Sequence, residues 1–181
     1  MLLIPRKAFL TSGVGCSKEK LASFEEALRD AGISHLNLVY ASSIFPPYCK
    51  LVSRKEGLSL LKPGAITFAV LSKNQDNEYH RTITASVGLA IPKNPADYGY
   101  VSEHQSYGQS KKEAGDYAED LAATMLARTL GVEFDPDQAW DEKEKIFRMS
   151  GKIILTRSVT STAVCRRGCW TTVVAAVVFI L

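Results

Sequence analysis

The sequence predicts one α+β domain built as a layered sandwich of mixed or antiparallel sheets. Three observations predict it. Apolar, β-branched segments of strand length outnumber helical ones, and two amphipathic helices are long enough to cover sheet faces. A hydrophobic content of 46% in 181 residues is also enough for a sizeable core without metals or disulfides.

The first helix is expected over residues 18–31, with Leu21, Phe24 and Leu28 on one face, Ser17 as its cap and Gly32 as its stop. Residues 36–40 read as a short strand that leads to Ser42 and Ser43 and is closed off by Pro46 and Pro47. Strands follow at 65–71 and 82–91, with a turn at 74–77 between them, and at 98–103. A second helix of about twenty residues opens at Ser110 with Glu113 completing a capping box, carries Ala114, Tyr117, Leu121 and Met125, and ends at Gly131. Asp135, Pro136 and Asp137 make a turn or linker. Residues 152–156 and 170–181 then read as strands around a hairpin loop at Arg166, Arg167 and Gly168. The last run is apolar throughout, but about a dozen residues fall short of the ~20 of a membrane-spanning helix, so it reads as a buried strand.

Lys and Arg number 22 against 19 Asp and Glu, with both signs scattered, so no nucleic-acid-binding stripe is expected. Cys16, Cys49, Cys165 and Cys169 lack the CxxC spacing of a zinc site, and Cys165 with Cys169 is read as two incidental thiols on a loop. The expectation is reduced thiols, no metal, no secretory signal and a cytoplasmic protein.

The chemistry is expected at residues 37–47, NLVYASSIFPP. A serine pair alone usually makes only a turn or a cap. Here Pro46 bars the helical region at Phe45 and Pro47 stiffens the chain further, which suits a peptide bond held rigidly between Ser42 and Ser43. A hydroxyl attacks its own preceding carbonyl only when so held, and positioning supplies several kcal/mol of such a barrier. Ser43 Oγ is the expected nucleophile.

These residues, with 24–33 (FEEALRDAGI), 11–15 (TSGVG), 90–93 (AIPK), 110–114 (SKKEA) and 170–179 (WTTVVAAVVF), resemble the pyruvoyl-dependent arginine decarboxylases over nearly the whole chain. The resemblance implies a four-layer αββα sandwich and a single domain, 1–181, that cleaves itself between Ser42 and Ser43. The products would be a β chain, 1–42, and an α chain, 43–181, that starts with a pyruvoyl group made from Ser43. It further implies a homotrimer of αβ units with active sites between subunits, and no need for pyridoxal phosphate or a metal. Three residues carry over. Asn37 matches the asparagine needed for self-cleavage, a sensible donor to the scissile carbonyl. Glu103, four residues beyond Gly99, matches the proton donor of turnover and would need a raised pKa from burial. His104 would point to the opposite strand face. Glu25 matches the first-helix acid that receives the substrate guanidinium, where archaeal members carry Asp, and its extra carbon leaves chain-length preference open. Glu26 is read as a solvated helix residue.

The implied reaction is decarboxylation of L-arginine to agmatine and CO2 through a Schiff base with the pyruvoyl ketone. The alternatives are another amino acid or an adenosyl compound as substrate, or an unprocessed, non-catalytic homologue. Polyamine synthesis and acid resistance both remain open as the setting.

Overall fold

The computed structural model describes residues 2–181, in which nine strands and four helices form two packed sheets with helices outside each. The first sheet runs β2 (Asn37–Tyr40), β5 (Ile66–Asp76), β9 (Trp170–Ile180), β1 (Lys7–Ser17), β4 (Lys50–Leu51). The second runs β3 (Ile44–Phe45), β7 (Gly99–Tyr107), β6 (Thr82–Pro92), β8 (Ile153–Val164). Helices α1 (Lys20–Asp30) and α2 (Arg54–Ser59) cover the first sheet, and α3 (Lys111–Thr129) and α4 (Trp140–Ser150) the second. The expected αββα order of layers is therefore present.

Strand β9 shows why the C-terminal run carries no polar alternation. Val174, Ala176 and Val178 pack under α1 with Phe9 and Ala27, while Ala175, Val177 and Phe179 face the second sheet beside Val87, Leu89 and Val101. Both faces are buried, so both must be apolar. Each Val or Phe buried there contributes about 1.5–3 kcal/mol before entropy is counted.

The helices sit closer than their larger apolar residues suggest. Leu21 is 78% exposed and Tyr117 is 48% exposed, whereas the buried positions are Ser23 and Ala27 in α1 and a line of alanines from Ala114 to Ala127 in α3. Gly13 and Gly15 lie against the α1 backbone at Ala27 and Ser23, and Gly88 lies against α3 at Ala118, where any Cβ would collide with main-chain atoms. This close approach also explains why β1 lacks the apolar pattern of a strand: Gly13 and Gly15 leave room for the helix above it, and Thr11 Oγ1 donates to the Ala31 carbonyl at its end.

Other expectations are corrected. Ser17 belongs to the end of β1, and Glu19 caps α1 without a side-chain bond. The capping box of Ser110 and Glu113 is present at α3. The strand β5 continues through the expected turn, because the Asn74 amide is buried and donates to the carbonyls of Thr84 and Ser106 in the other sheet; the reversal comes after Asp76, whose Oδ1 accepts from Asn77 N and Glu78 N. The turn after Asp137 leads into α4, pinned to α3 by a buried ion pair between Lys143 Nζ and Asp120 Oδ2 at 2.7 Å. Cys16 and Cys169 are paired as a disulfide with Cα atoms 6.3 Å apart, so the expectation of reduced thiols fails for these two. Cys49 and Cys165 are free. Among the described residues no helix is long and apolar enough to cross a membrane, and no cluster of three metal-ligating side chains occurs.

Gly13→Ala is expected to lower stability by about 2 kcal/mol or more, because backbone rather than a movable side chain meets the new methyl. A fall in the urea midpoint at unchanged slope is the predicted reading; an unchanged midpoint contradicts the close packing.

Candidate active site

The serine pair falls at the junction of the two sheets. β2 ends at Tyr40, the chain passes Ala41, Ser42 and Ser43, and β3 joins the second sheet opposite Tyr100 and Gly99. The Ser43 carbonyl accepts the Val101 N–H at 2.7 Å. Two residues on, Phe45 is buried between the sheets, its ring 6.3 Å from that of Phe179. The downstream side of the Ser42–Ser43 bond is thus anchored by a main-chain hydrogen bond and a buried ring, while Ser42 is exposed. Beside Ser42 opens a cavity of about 220 Å³, otherwise walled by the apolar or proline residues Leu3, Pro5, Ala41, Ile44, Pro46, Phe68 and Phe179.

Glu103 lies on the strand that anchors Ser43. Val101 points into the core between the sheets, Ser102 points to α3 and donates to the Ala118 carbonyl, and Glu103 returns to the inter-sheet side. Strand β3 ends before it, so this stretch of β7 is an open edge; Ser72 and Asn74 of β5 reach across to its carbonyls at His104 and Ser106, at 2.8 and 3.0 Å. Glu103 is exposed in the single chain, and partial burial of its carboxyl against the strand raises its pKa from the ordinary carboxylate value. Among the described residues no cation forms an ion pair with it. Tyr40 is 62% exposed, yet partial burial of its phenol, and then the Glu103 charge, raise its pKa, which puts the two groups within electrostatic reach. Tyr40 was not among the residues singled out from the sequence; its only signal was its place two residues before Ser42. His104 faces α3, with its ring 4.4 Å from that of Tyr117 and Nε2 2.7 Å from Gln109 Oε1. Strand alternation therefore separates it from Glu103, as the sequence implied.

Asn37 and Glu25 stand elsewhere. Asn37 opens β2, and its side-chain amide donates to the Gly64 carbonyl at 2.8 Å. The extended run to Tyr40 carries Ser42 away from that amide at about 3.3 Å per residue, so one chain does not bring the amide to the Ser42 carbonyl. Glu25 lies on the solvent side of α1, paired with Arg29 one turn on, in an outer layer that rests on β1 and β9. One chain does not bring it to Ser43 either. Glu26 is exposed, as its reading as a solvated helix residue expects, but it also has a structural partner: its Oε2 accepts the Cys16 N–H at 3.1 Å, and Asp30 Oδ2 accepts the Val14 N–H at 2.9 Å. Both carboxylates occupy donors on the free edge of β1, which guards it against pairing with another strand.

Comparison with known proteins defines the class first: the model of the family "Pyruvoyl-dependent arginine decarboxylase" matches residues 7–181, which makes this chain a decarboxylase of the pyruvoyl type. A probable pyruvoyl-dependent arginine decarboxylase of Chlorobium limicola is 57% identical over 180 residues, 99% of both chains. Pyruvoyl-dependent arginine decarboxylase 2 of Methanosarcina acetivorans is 57% identical over 179 residues, 98% of both. That of Methanococcoides burtonii is 55% identical over 183 residues, 99% of this chain and 100% of the relative. The chain belongs to the pyruvoyl-dependent arginine decarboxylase family.

The raised carboxyl of Glu103 has a thermodynamic signature. A folded-state pKa above the unfolded one means that the native chain holds the proton more tightly, so stability falls as pH rises from the ordinary carboxylate value towards the raised one. Glu103→Gln removes this loss. Its melting temperature is expected to match the parent's in acid and to gain on it as pH rises through that window; a constant difference at all pH values contradicts the burial of the carboxyl.

Proposed function

We propose that the chain cuts itself between Ser42 and Ser43 and then decarboxylates L-arginine to agmatine and CO2. The observation that carries this reading is the docking of Ser43 on β7, through the Val101 N–H, on the strand that presents Glu103 two residues further along. Anchoring one side of the scissile bond lets the Ser43 hydroxyl meet the Ser42 carbonyl as a local, oriented reaction. Attack moves the acyl group from nitrogen to oxygen and makes an ester. Elimination then frees the Ser42 carboxylate and leaves dehydroalanine at position 43, and water converts that to a pyruvoyl group with loss of ammonia. Asn37 supplies an amide to the oxyanion of the Ser42 carbonyl, and it does so from a neighbouring copy, where it must also exchange its bond to Gly64.

The residues present suit a small ketone at position 43. An apolar cavity opens beside its chain neighbours Ser42 and Ile44, its own main chain is anchored on β7, and a carboxyl of raised pKa stands on the same strand. The pyruvoyl group supplies an electron sink next to the substrate α-carbon, the part that pyridoxal phosphate plays in other decarboxylases. Glu103 holds a proton at its carboxyl and delivers it to that carbon after CO2 has left; its raised pKa keeps the proton available nearer neutral pH. Tyr40, close enough to feel the Glu103 charge, helps to hold the carboxyl in place.

Arginine as substrate is supported by the names of the relatives. Glu25 accepts the guanidinium, and it does so from a neighbouring copy in a homotrimer of αβ units, since within one chain it is remote from Ser43. The exposed Val39, Ile44 and Ile66 near the outer edge of β2 and the cut are the apolar surface that such an assembly would cover.

Ser43→Ala is expected neither to cleave nor to release CO2. Glu103→Gln should be cleaved normally yet lose about a hundred- to ten-thousand-fold in kcat. Glu25→Ala should raise KM for arginine more than it lowers kcat. In a panel of amino acids, arginine should give the fastest amine release. An active, uncleaved chain would overturn the reading of the cut, and faster release from another amino acid would overturn that of the substrate.

A further inference from the structure

The disulfide has a consequence that depends on where the chain is cut. Cys16 is the only cysteine in residues 1–42, and its partner, Cys169, lies 153 residues on, in the part that begins at Ser43. Antiparallel pairing of β1 with β9 sets Ser17 opposite Trp170, which brings Cys16 beside the turn before β9. We propose that the Cys16–Cys169 bond is a covalent tether between the two fragments of the processed protein. This rests on the proposed cleavage at Ser42 and Ser43.

The fragment 1–42 contributes β1, α1 and β2, and β1 is an inner strand of its sheet. Once the peptide bond is gone, only packing and hydrogen bonds hold that fragment, and any global opening releases it into solution. A tether makes its return unimolecular, at an effective concentration of roughly millimolar order. Cys165 lines the same cleft as Cys16, but the strand register pairs Cys16 with Cys169 and leaves Cys49 and Cys165 free. Cys49 is half-buried and pushed up to about 12 by burial, and Cys165 is buried and raised for the same reason first. Cys16 lines an open cleft of about 890 Å³ and Cys169 is partly exposed, so small thiols and disulfides can reach the bond.

Formation balances as exchange with a low-molecular-weight disulfide of the glutathione class. One cysteine thiolate attacks it and releases one small thiolate, leaving a mixed disulfide. The second cysteine thiolate attacks that and releases the other. Two electrons pass from the protein thiols to the small disulfide, and their two protons pass to the released thiolates.

The test uses the purified processed protein, with free thiols blocked by N-ethylmaleimide before denaturation. Intact mass without reductant should give one species, the sum of both fragments less two hydrogens; dithiothreitol should resolve it into 1–42 and 43–181. For Cys169→Ser both fragments should separate without reductant, and its melting temperature should fall further than the parent's on about tenfold dilution. Two separate fragments from the unreduced parent, each carrying the label at Cys16 or Cys169, would overturn the tether while leaving the cleavage standing. A single uncut chain with and without reductant would overturn the cleavage and with it the tether.

Discussion

The pairing of β1 with β9 is the constraint on which the rest of the structure depends. Eleven residues of each strand run antiparallel, from Lys7 opposite Ile180 to Ser17 opposite Trp170, and join the first and last strands of the chain in the middle of one sheet. The register puts Gly13 and Gly15 under α1, so the helix descends until its alanines touch the sheet. It also leaves β2 at the far edge, beyond β5, from where the chain can cross to the other sheet within a few residues. A chain whose ends are paired in this way can lose a peptide bond at a surface crossing without losing its core.

The crossing is where the proposed chemistry concentrates. Ser43 is held from the second sheet and Ser42 projects from the end of the first, so the bond between them spans two layers that their shared core holds together. The same opening between layers takes in Glu103 and Tyr40, the two groups near Ser42 and Ser43 whose proton affinities partial burial raises. Glu25 and Asn37 lie outside this opening, which divides the proposed site into a part carried by each chain and a part completed by its neighbours.

Much of this was legible from residues alone. The apolar run of β9 announced a buried strand, the pair Ser110 and Glu113 marked the start of α3, and strand alternation separated Glu103 from His104. What was not legible depended on partners distant in sequence. β1 hides behind glycines that make sense only once α1 is seen above them. The short, highly charged α4 shows its apolar face only through Phe147 against Phe134 and Trp140. Asn74 looks like a turn residue until its amide is found reaching the second sheet. The pairing of Cys16 with Cys169 follows from strand register and not from spacing, and the use of Glu26 follows from the bare edge of β1.

The mass of the fragment 43–181 tests the central claim most directly. The account predicts that purified protein yields this fragment with a blocked, carbonyl-bearing terminus, lighter by one ammonia than the same fragment beginning with serine. A fragment that begins with an intact Ser43, as simple hydrolysis would leave it, or a chain that stays whole, would contradict it.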